Sequence, residues 1–384
     1  MGGVRTALYN WLFARAHGGT FILRIEDTDQ GRFVEGAEAY IEEALAWCGL
    51  SPDEGVRPGG EFGPYRQSER SAMYREAVQE LLDKGLAYEA FDTPEELDAL
   101  RKAAEPDVFQ YDAATRGQLR NSLTLGAEEV ATLKASGAPY AVRFKTPDAT
   151  EEVRFEDAIR GSVGFQSSVL DDKVLMKADG LPTYHLANVV DDHHMRISHV
   201  IRGEEWLPSA PLHVLLYRAF GWDHPVFAHL PLILKPTGNG KLSKRDGDAG
   251  GFPVFPTNWT DPKSGETWPG YREQGYAPEA FVNMLLMLGW NPGDERELFT
   301  AEEAAKEFAL ERVVKSGARF NPDKAKWFQE QHLRNAGSEA HVEALEVLAQ
   351  AKGVAWDAAQ CKDVLDMMLE RVAFLPEILD TGWL

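Results

Sequence analysis

Cysteine is almost missing from this chain: Cys48 and Cys361 are the two present in 384 residues, far apart and without a pairing pattern. A disulfide framework is thereby excluded, and free thiols in a reducing, cytoplasmic compartment are expected. Long apolar runs are missing too, so no membrane span is predicted. Basic residues are scarce, with 40 Lys and Arg against 61 Asp and Glu and a net charge of -21. That balance excludes a protein that coats nucleic acid nonspecifically, because phosphate binding is driven by clustered cations. Any contact with RNA must be local, and one stretch qualifies: Arg312, Lys315, Arg319, Lys324, Lys326 and Arg334 crowd into a short segment. Charge alone reads equally as a solvated helix face.

What is present is ordinary globular composition, 44% hydrophobic and 26% charged, at a length that predicts two to four domains of about 100 to 200 residues each. Residues 5 to 17 carry Ala7, Leu8, Trp11 and Leu12 at helical spacing and stop at Gly18-Gly19, and Phe21 to Ile25 reads as a buried strand. From about 73 to 174, helical stretches (71–84, 93–104) are followed by short strands near 140–145 and 163–165, a pattern that predicts an inserted subdomain. Strand character returns at 197–201, an amphipathic helix follows over 208–220, and 227–234 reads as a further strand. Beyond it lies an irregular loop rich in Pro and Trp, including Pro253, Trp259, Trp268 and Pro269, and then mostly helix.

Four segments carry chemistry. Gly2-Gly3 leads into the first helix, where backbone N–H groups and the helix dipole favour an anion; a plain tight turn is the alternative. Arg24-Ile25-Glu26-Asp27-Thr28-Asp29 puts carboxylates at the end of a strand, the ligand side of an open parallel sheet, where they either bind an amine or cap a helix. Tyr184 and Asn188 share a helical face if their segment is helical, and Arg202 follows a strand, where its guanidinium grips a carboxylate or pairs with Glu204 or Glu205. Asp191-Asp192-His193-His194 does not predict a metal site, since four adjacent ligands cannot converge on one ion in regular structure. In Gly238 to Gly247, Lys241, Lys244 and Arg245 lie among glycines, a mobile loop suited to closing on a triphosphate.

Together these segments resemble class I aminoacyl-tRNA synthetases, specifically the bacterial glutamyl-tRNA synthetases, over nearly the whole chain. Gly2 to Gly19 with Phe21 to Asp29, the segment Gly63-Pro64-Tyr65-Arg66-Gln67-Ser68-Glu69-Arg70, Leu181 to His193, Val200 to Trp206 and Lys241 to Arg245 are each similar to a family motif, the last to its Lys-Met-Ser-Lys-Ser loop. The resemblance implies ATP-dependent attachment of glutamate to tRNA(Glu) through glutamyl-adenylate, with Mg²⁺ assisting, by a monomer. It implies that Glu26, Tyr184, Asn188 and Arg202 hold glutamate. Gly2, Gly3, Glu205, Trp206, Lys241, Ser243, Lys244 and Arg245 would meet ATP, with Lys244 and Lys241 the catalytic lysines. The implied fold is α/β, a Rossmann-like parallel-sheet core (1–72 and 175–236) with an α+β insertion (73–174) that binds the tRNA acceptor end. A connecting domain (237–320) and a partial helical anticodon-binding region (321–384) follow, with tRNA contacts at Arg312, Lys315, Arg319, Lys324 and Lys326. Family features outside this pattern are the strand and leading histidine ahead of the first helix, missing here, and a cysteine-held zinc. Ala90, Asp92 and Thr115 stand where its ligands would be, so no zinc is expected. The alternatives are a noncatalytic tRNA-binding fragment and a glutamyl transferase for tRNA modification.

Overall fold

The computed structural model of the chain describes residues 1–380. The chain opens with α1 (Gly2–Ala16), β1 (Ile22–Leu23), α2 (Ala37–Trp47), β2 (Glu54–Gly55) and α3 (Ser71–Asp83). A middle segment holds β3 (Ala87–Ala90), α4 (Pro94–Ala103), α5 (Ala127–Ala135), β4 (Ala141–Phe144), β5 (Glu152–Asp157), β6 (Gly161–Gln166) and β7 (Val174–Met176). Then come α6 (Tyr184–His194), β8 (His199–Gly203), α7 (Ala210–Phe220), β9 (Val226–Leu230), β10 (Ile233–Leu234), α8 (Lys244–Gly250), β11 (Trp259–Thr260) and β12 (Thr267–Trp268). The rest is largely helical: α9 (Pro278–Met287), α10 (Ala301–Glu307), the short β13 (Ala318–Arg319), α11 (Pro322–Ala336), α12 (Val342–Ala351) and α13 (Ala358–Met368).

The core sheet has the order β6-β5-β9-β8, with β8, β9 and β5 parallel and β6 antiparallel at the edge. Side chains alternate across it as the pleat requires. On β9, Phe227 joins the cluster built by α3, α6 and α7, while Ala228 and Leu230 face the cluster around Leu8 and Leu12 of α1 and Phe281 and Leu285 of α9. Helices therefore cover both faces, the doubly wound α/β arrangement of a Rossmann-like core. α11 to α13 close a separate helical core around Leu345, Cys361 and Leu365.

Several boundaries differ from the sequence reading for local reasons. Gly2 and Gly3 are not a turn before α1 but its first residues. The expected strand 227–234 is interrupted because Pro231 has no N–H to offer a ladder; its carbonyl accepts from Arg5 instead (2.5 Å). Phe21–Ile25 keeps only two paired residues, because Arg24 turns away to the carboxylates of α6 and pairing resumes as a single bridge from Ile25 to Arg66. Within the segment expected as an insertion, β5 and β6 join the core sheet, and only β3, β4 and β7 make a sheet of their own.

That smaller sheet is tied down by a buried carboxylate. Asp172, fully buried, accepts from Tyr88 (2.6 Å), both Nη1 contacts of Arg116 (2.9 and 3.1 Å) and the Thr146 amide (2.9 Å). Nearby, Asp92 accepts from Tyr111 (3.0 Å) and from the Arg120 amide (2.9 Å). Hydrogen bonds thus connect these loops. Removing one partner of a buried charge network strands the others, so Asp172→Ala should lower the unfolding free energy by about 3–5 kcal/mol. Urea denaturation followed by far-UV circular dichroism measures it, and a loss below about 1 kcal/mol, the scale of an exposed ion pair, would show that Asp172 is not the tie.

Candidate active site

Arg202, the last residue but one of β8, is nearly buried, and the core fixes its guanidinium from three sides. Nε donates to His229 Nε2 (3.1 Å), Nη1 to Tyr184 Oη (3.0 Å) and towards His213 Nδ1 (3.4 Å), and Nη2 to the Trp206 carbonyl (3.3 Å). Since His229 Nε2 accepts, its ring proton lies on Nδ1, which donates to buried Asp157 (2.6 Å). The Asp157 carboxylate also accepts the amides of Ile159, Arg160 and His229. Asp157, His229 and Arg202 are therefore a relay that sets the direction of one cation. Neither Glu204 nor Glu205 pairs with Arg202: Glu204 takes Arg160 and the Leu232 amide, and Glu205 takes Lys241.

The surrounding groups are kept uncharged. Burial pushes the Tyr184 phenol up to about 12 against the pull of Arg202. Burial, reinforced by neighbouring cations, drives the His185 imidazole down to about 4 and His213 well below its ordinary value. His229 is also lowered by burial, though Asp157 opposes the shift. In the unfolded chain these rings protonate from about 6.5 downwards, so the stability tied to their neutral forms is intact above 6.5 and declines as the pH falls towards 4. Urea midpoints at about pH 7 and about pH 5 should accordingly differ less in His213→Gln than in the parent. An equal slope in both would show that His213 does not carry the acid sensitivity.

A cavity of about 1770 Å³ opens beside this group. It exceeds the roughly 300–1,000 Å³ of a site for one small ligand and has room for two. Its wall includes Gly2 and Gly3, where an added Cβ would meet nothing and where the first N–H groups of α1 have no helical acceptor. Glu26, Tyr184, Arg202, Glu205 and Trp206 line it, and so do Lys241, Ser243 and Lys244. The lysine segment is more ordered than its glycines suggest: Lys241 bridges to Leu234, and Ser243 caps α8 reciprocally with Asp246. Lys241 Nζ lies 2.6 Å from Glu205.

The family model for class I tRNA synthetases (E and Q), catalytic domain, matches residues 1–327. The chain belongs to this family. It is 58% identical over 381 residues to the glutamate–tRNA ligase of Porphyromonas gingivalis and 59% identical over 381 residues to that of Bacteroides fragilis. Each alignment covers 98% of this chain and 75% of the relative. Among solved structures, a glutamate tRNA ligase from Elizabethkingia meningosepticum in complex with its amino acid superposes with a TM-score of 0.97 at 53% identity, covering 99% of this chain and 76% of that one. The glutamate-tRNA synthetase of Elizabethkingia anophelis gives 0.96 at 53% identity, with 99% and 77% covered.

Not every residue singled out in this synthetase's sequence reaches the cavity. Asn188 is buried behind it, its amide satisfied when the oxygen accepts from Arg24 Nη2 (2.8 Å) and the nitrogen donates to Asp192 (3.2 Å). Arg245 is exposed on α8 away from the lining. The basic stretch does not form one face: Arg312 donates to the Pro292 carbonyl and Arg319 to those of Lys235 and Gly238. Lys324 pairs with Glu297 and Lys326 lies 3.7 Å from Glu377, while Lys315 is exposed on a loop. In the acidic run, Asp27 accepts from the Ser68 amide and hydroxyl, so it fastens the Gly63–Arg70 segment instead of capping a helix. Asp191 anchors that segment as well, taking Arg70 (2.7 Å), Gln67 (3.0 Å) and Tyr74 (2.8 Å), and His193 stacks on Trp222. Sequence reasoning missed Arg24, Asp157, His213 and His229. Their only signal was polar character inside apolar strands and helices, as in Phe227-Ala228-His229-Leu230. Among the described residues no group of three His, Cys, Asp or Glu side chains is placed to hold a metal ion, and no helix is long and apolar enough to cross a membrane.

Proposed function

We propose that the chain attaches glutamate to tRNA(Glu) in two ATP-dependent steps. The observation that carries this reading is one cavity lined by both a buried, pre-aimed arginine and two lysines. Arg202 takes the side-chain carboxylate of glutamate, since an oriented guanidinium suits a carboxylate better than an amide. Glu26 receives the α-amino group and Tyr184 shapes the space between. ATP lies across the N-terminus of α1, its phosphates towards Lys241 and Lys244 and its nucleoside near Trp206. The α-carboxylate oxygen attacks the α-phosphorus, the bond to the bridging oxygen breaks, and pyrophosphate leaves with the charge that the lysines neutralise. The 3′-terminal ribose hydroxyl of tRNA then attacks the glutamyl carbonyl and AMP departs.

Mg²⁺ enters as part of the ATP complex, held mainly by phosphate oxygens and water, as this hard cation prefers. Its contribution there is charge neutralisation on the phosphates. The reading places a cytoplasmic monomer beside the acceptor end of tRNA, with the segment of β3, β4 and β7 against it. The decisive experiment is glutamate-dependent exchange between ATP and pyrophosphate with total tRNA present. Exchange with glutamate and not with glutamine or aspartate is expected; absence of exchange, with tRNA still bound, would favour a noncatalytic tRNA-binding role.

A further inference from the structure

Lys244 is not held as Lys241 is. Among the described residues no carboxylate lies within ion-pair distance of it; its ammonium instead lies 4.2 Å from the ring centroid of Trp268 and 5.0 Å from that of Phe255. Both rings belong to the Pro- and Trp-rich segment, and both are half-buried and fixed. β11 and β12 pair across it, with the Thr260 and Thr267 hydroxyls 2.8 Å apart. Gly270 presses against the Thr257 backbone so closely that a Cβ would come within 2.2 Å of it. Tyr40 of α2 packs edge-on against Trp259 (4.8 Å) and Phe255 (6.4 Å) and donates to the Thr257 carbonyl, and Arg272 pairs with Glu43. The seat is therefore rigidly attached to the core, while the lysine stem is flexible.

We propose that Trp268 and Phe255 form a resting seat that holds the Lys244 ammonium until the triphosphate arrives. This rests on the reading that Lys244 meets the phosphates. The face of an aromatic ring attracts a cation and repels an anion. A phosphate does not approach Lys244 through the rings, and a full charged hydrogen bond to it draws the side chain off them towards the cavity that it and Phe255 border. The seat competes with ATP: a cation–π contact at a partly exposed site is weak enough to be exchanged for a charged hydrogen bond.

The competition gives the proposal a sign. In the exchange assay on the full chain, Trp268→Leu should lower KM for ATP about two- to fivefold without lowering kcat, and Trp268→Phe, which keeps a ring, should stay nearer the parent. Equilibrium ATP affinity should tighten in Trp268→Leu but not respond to that substitution when Lys244 is alanine. A higher KM, a lower kcat, an unchanged KM, or the same tightening in the Lys244→Ala background would each overturn the seat. If the parent chain showed no exchange at all, the proposed reaction would fail, whereas the ATP-affinity comparison would still decide whether Trp268 and Lys244 are coupled.

Discussion

Lys244→Ala should lower the rate of glutamate activation by about 10²–10³-fold while changing KM for ATP far less. Two features make this the largest expected effect. Lys244 borders the cavity and lies over two rings, with Asp261 the carboxylate that feels its charge and none of the described residues' carboxylates within ion-pair distance, so it is available to a new anion. The charge on the departing pyrophosphate grows along the reaction, and a cation that meets it late lowers the barrier more than it tightens ATP. Lys241→Ala should cost less, since Lys241 already shares its charge with Glu205 at 2.6 Å. Single-turnover adenylate formation measures the effect directly, and a turnover within a few-fold of the parent would remove Lys244 from the chemistry.

Arg202→Ala should weaken glutamate binding by about 1.5–3 kcal/mol, the scale of a hydrogen bond to a charged group. The loss has two sources. A carboxylate entering the site finds no cation, and His229 Nε2 loses the donor that defined its tautomer. Arg202→Lys should recover little, because a single ammonium cannot reach His229, Tyr184 and the Trp206 carbonyl together as the planar fork does. Measuring glutamate and glutamine affinities side by side separates charge recognition from packing. Glutamine should lose much less; equal losses would mean that Arg202 supports the pocket without reading the carboxylate.

The same comparison shows which parts of the site were legible in the sequence. Arg202 and Lys244 stood out because each is a cation placed by local pattern, one after a strand and one among glycines. The alternatives weighed for Arg202 were settled by distance: Glu204 is taken by Arg160 and Glu205 by Lys241, although both are its near neighbours in sequence. Tyr184 and Asn188 illustrate the limit of helical spacing. They do lie on one helix, yet Tyr184 meets the cavity and Asn188 is turned to Arg24, which arrives from just beyond β1, far earlier in the chain. The basic stretch from Arg312 onwards looked like one patch, but a helical turn, a loop, β13 and α11 divide it, and several of its cations serve local carbonyls and carboxylates.

The sequence by itself determined the family, the α/β class and the chemical types that converge on the cavity, because those depend on short motifs and on local periodicity. Only the tertiary structure decided that Asp157 and His229 aim Arg202, that Asp191 fastens the Gly63–Arg70 segment, and that Phe255 and Trp268 of the Pro- and Trp-rich segment lie against Lys244. Each of those is a contact between groups distant along the chain, formed when the sheet brings β5, β8 and β9 together, when α6 meets the Gly63–Arg70 segment, or when α2 receives the hairpin of β11 and β12. A buried polar side chain must find a partner to offset its lost hydration, but nothing in the local sequence says which distant residue supplies it.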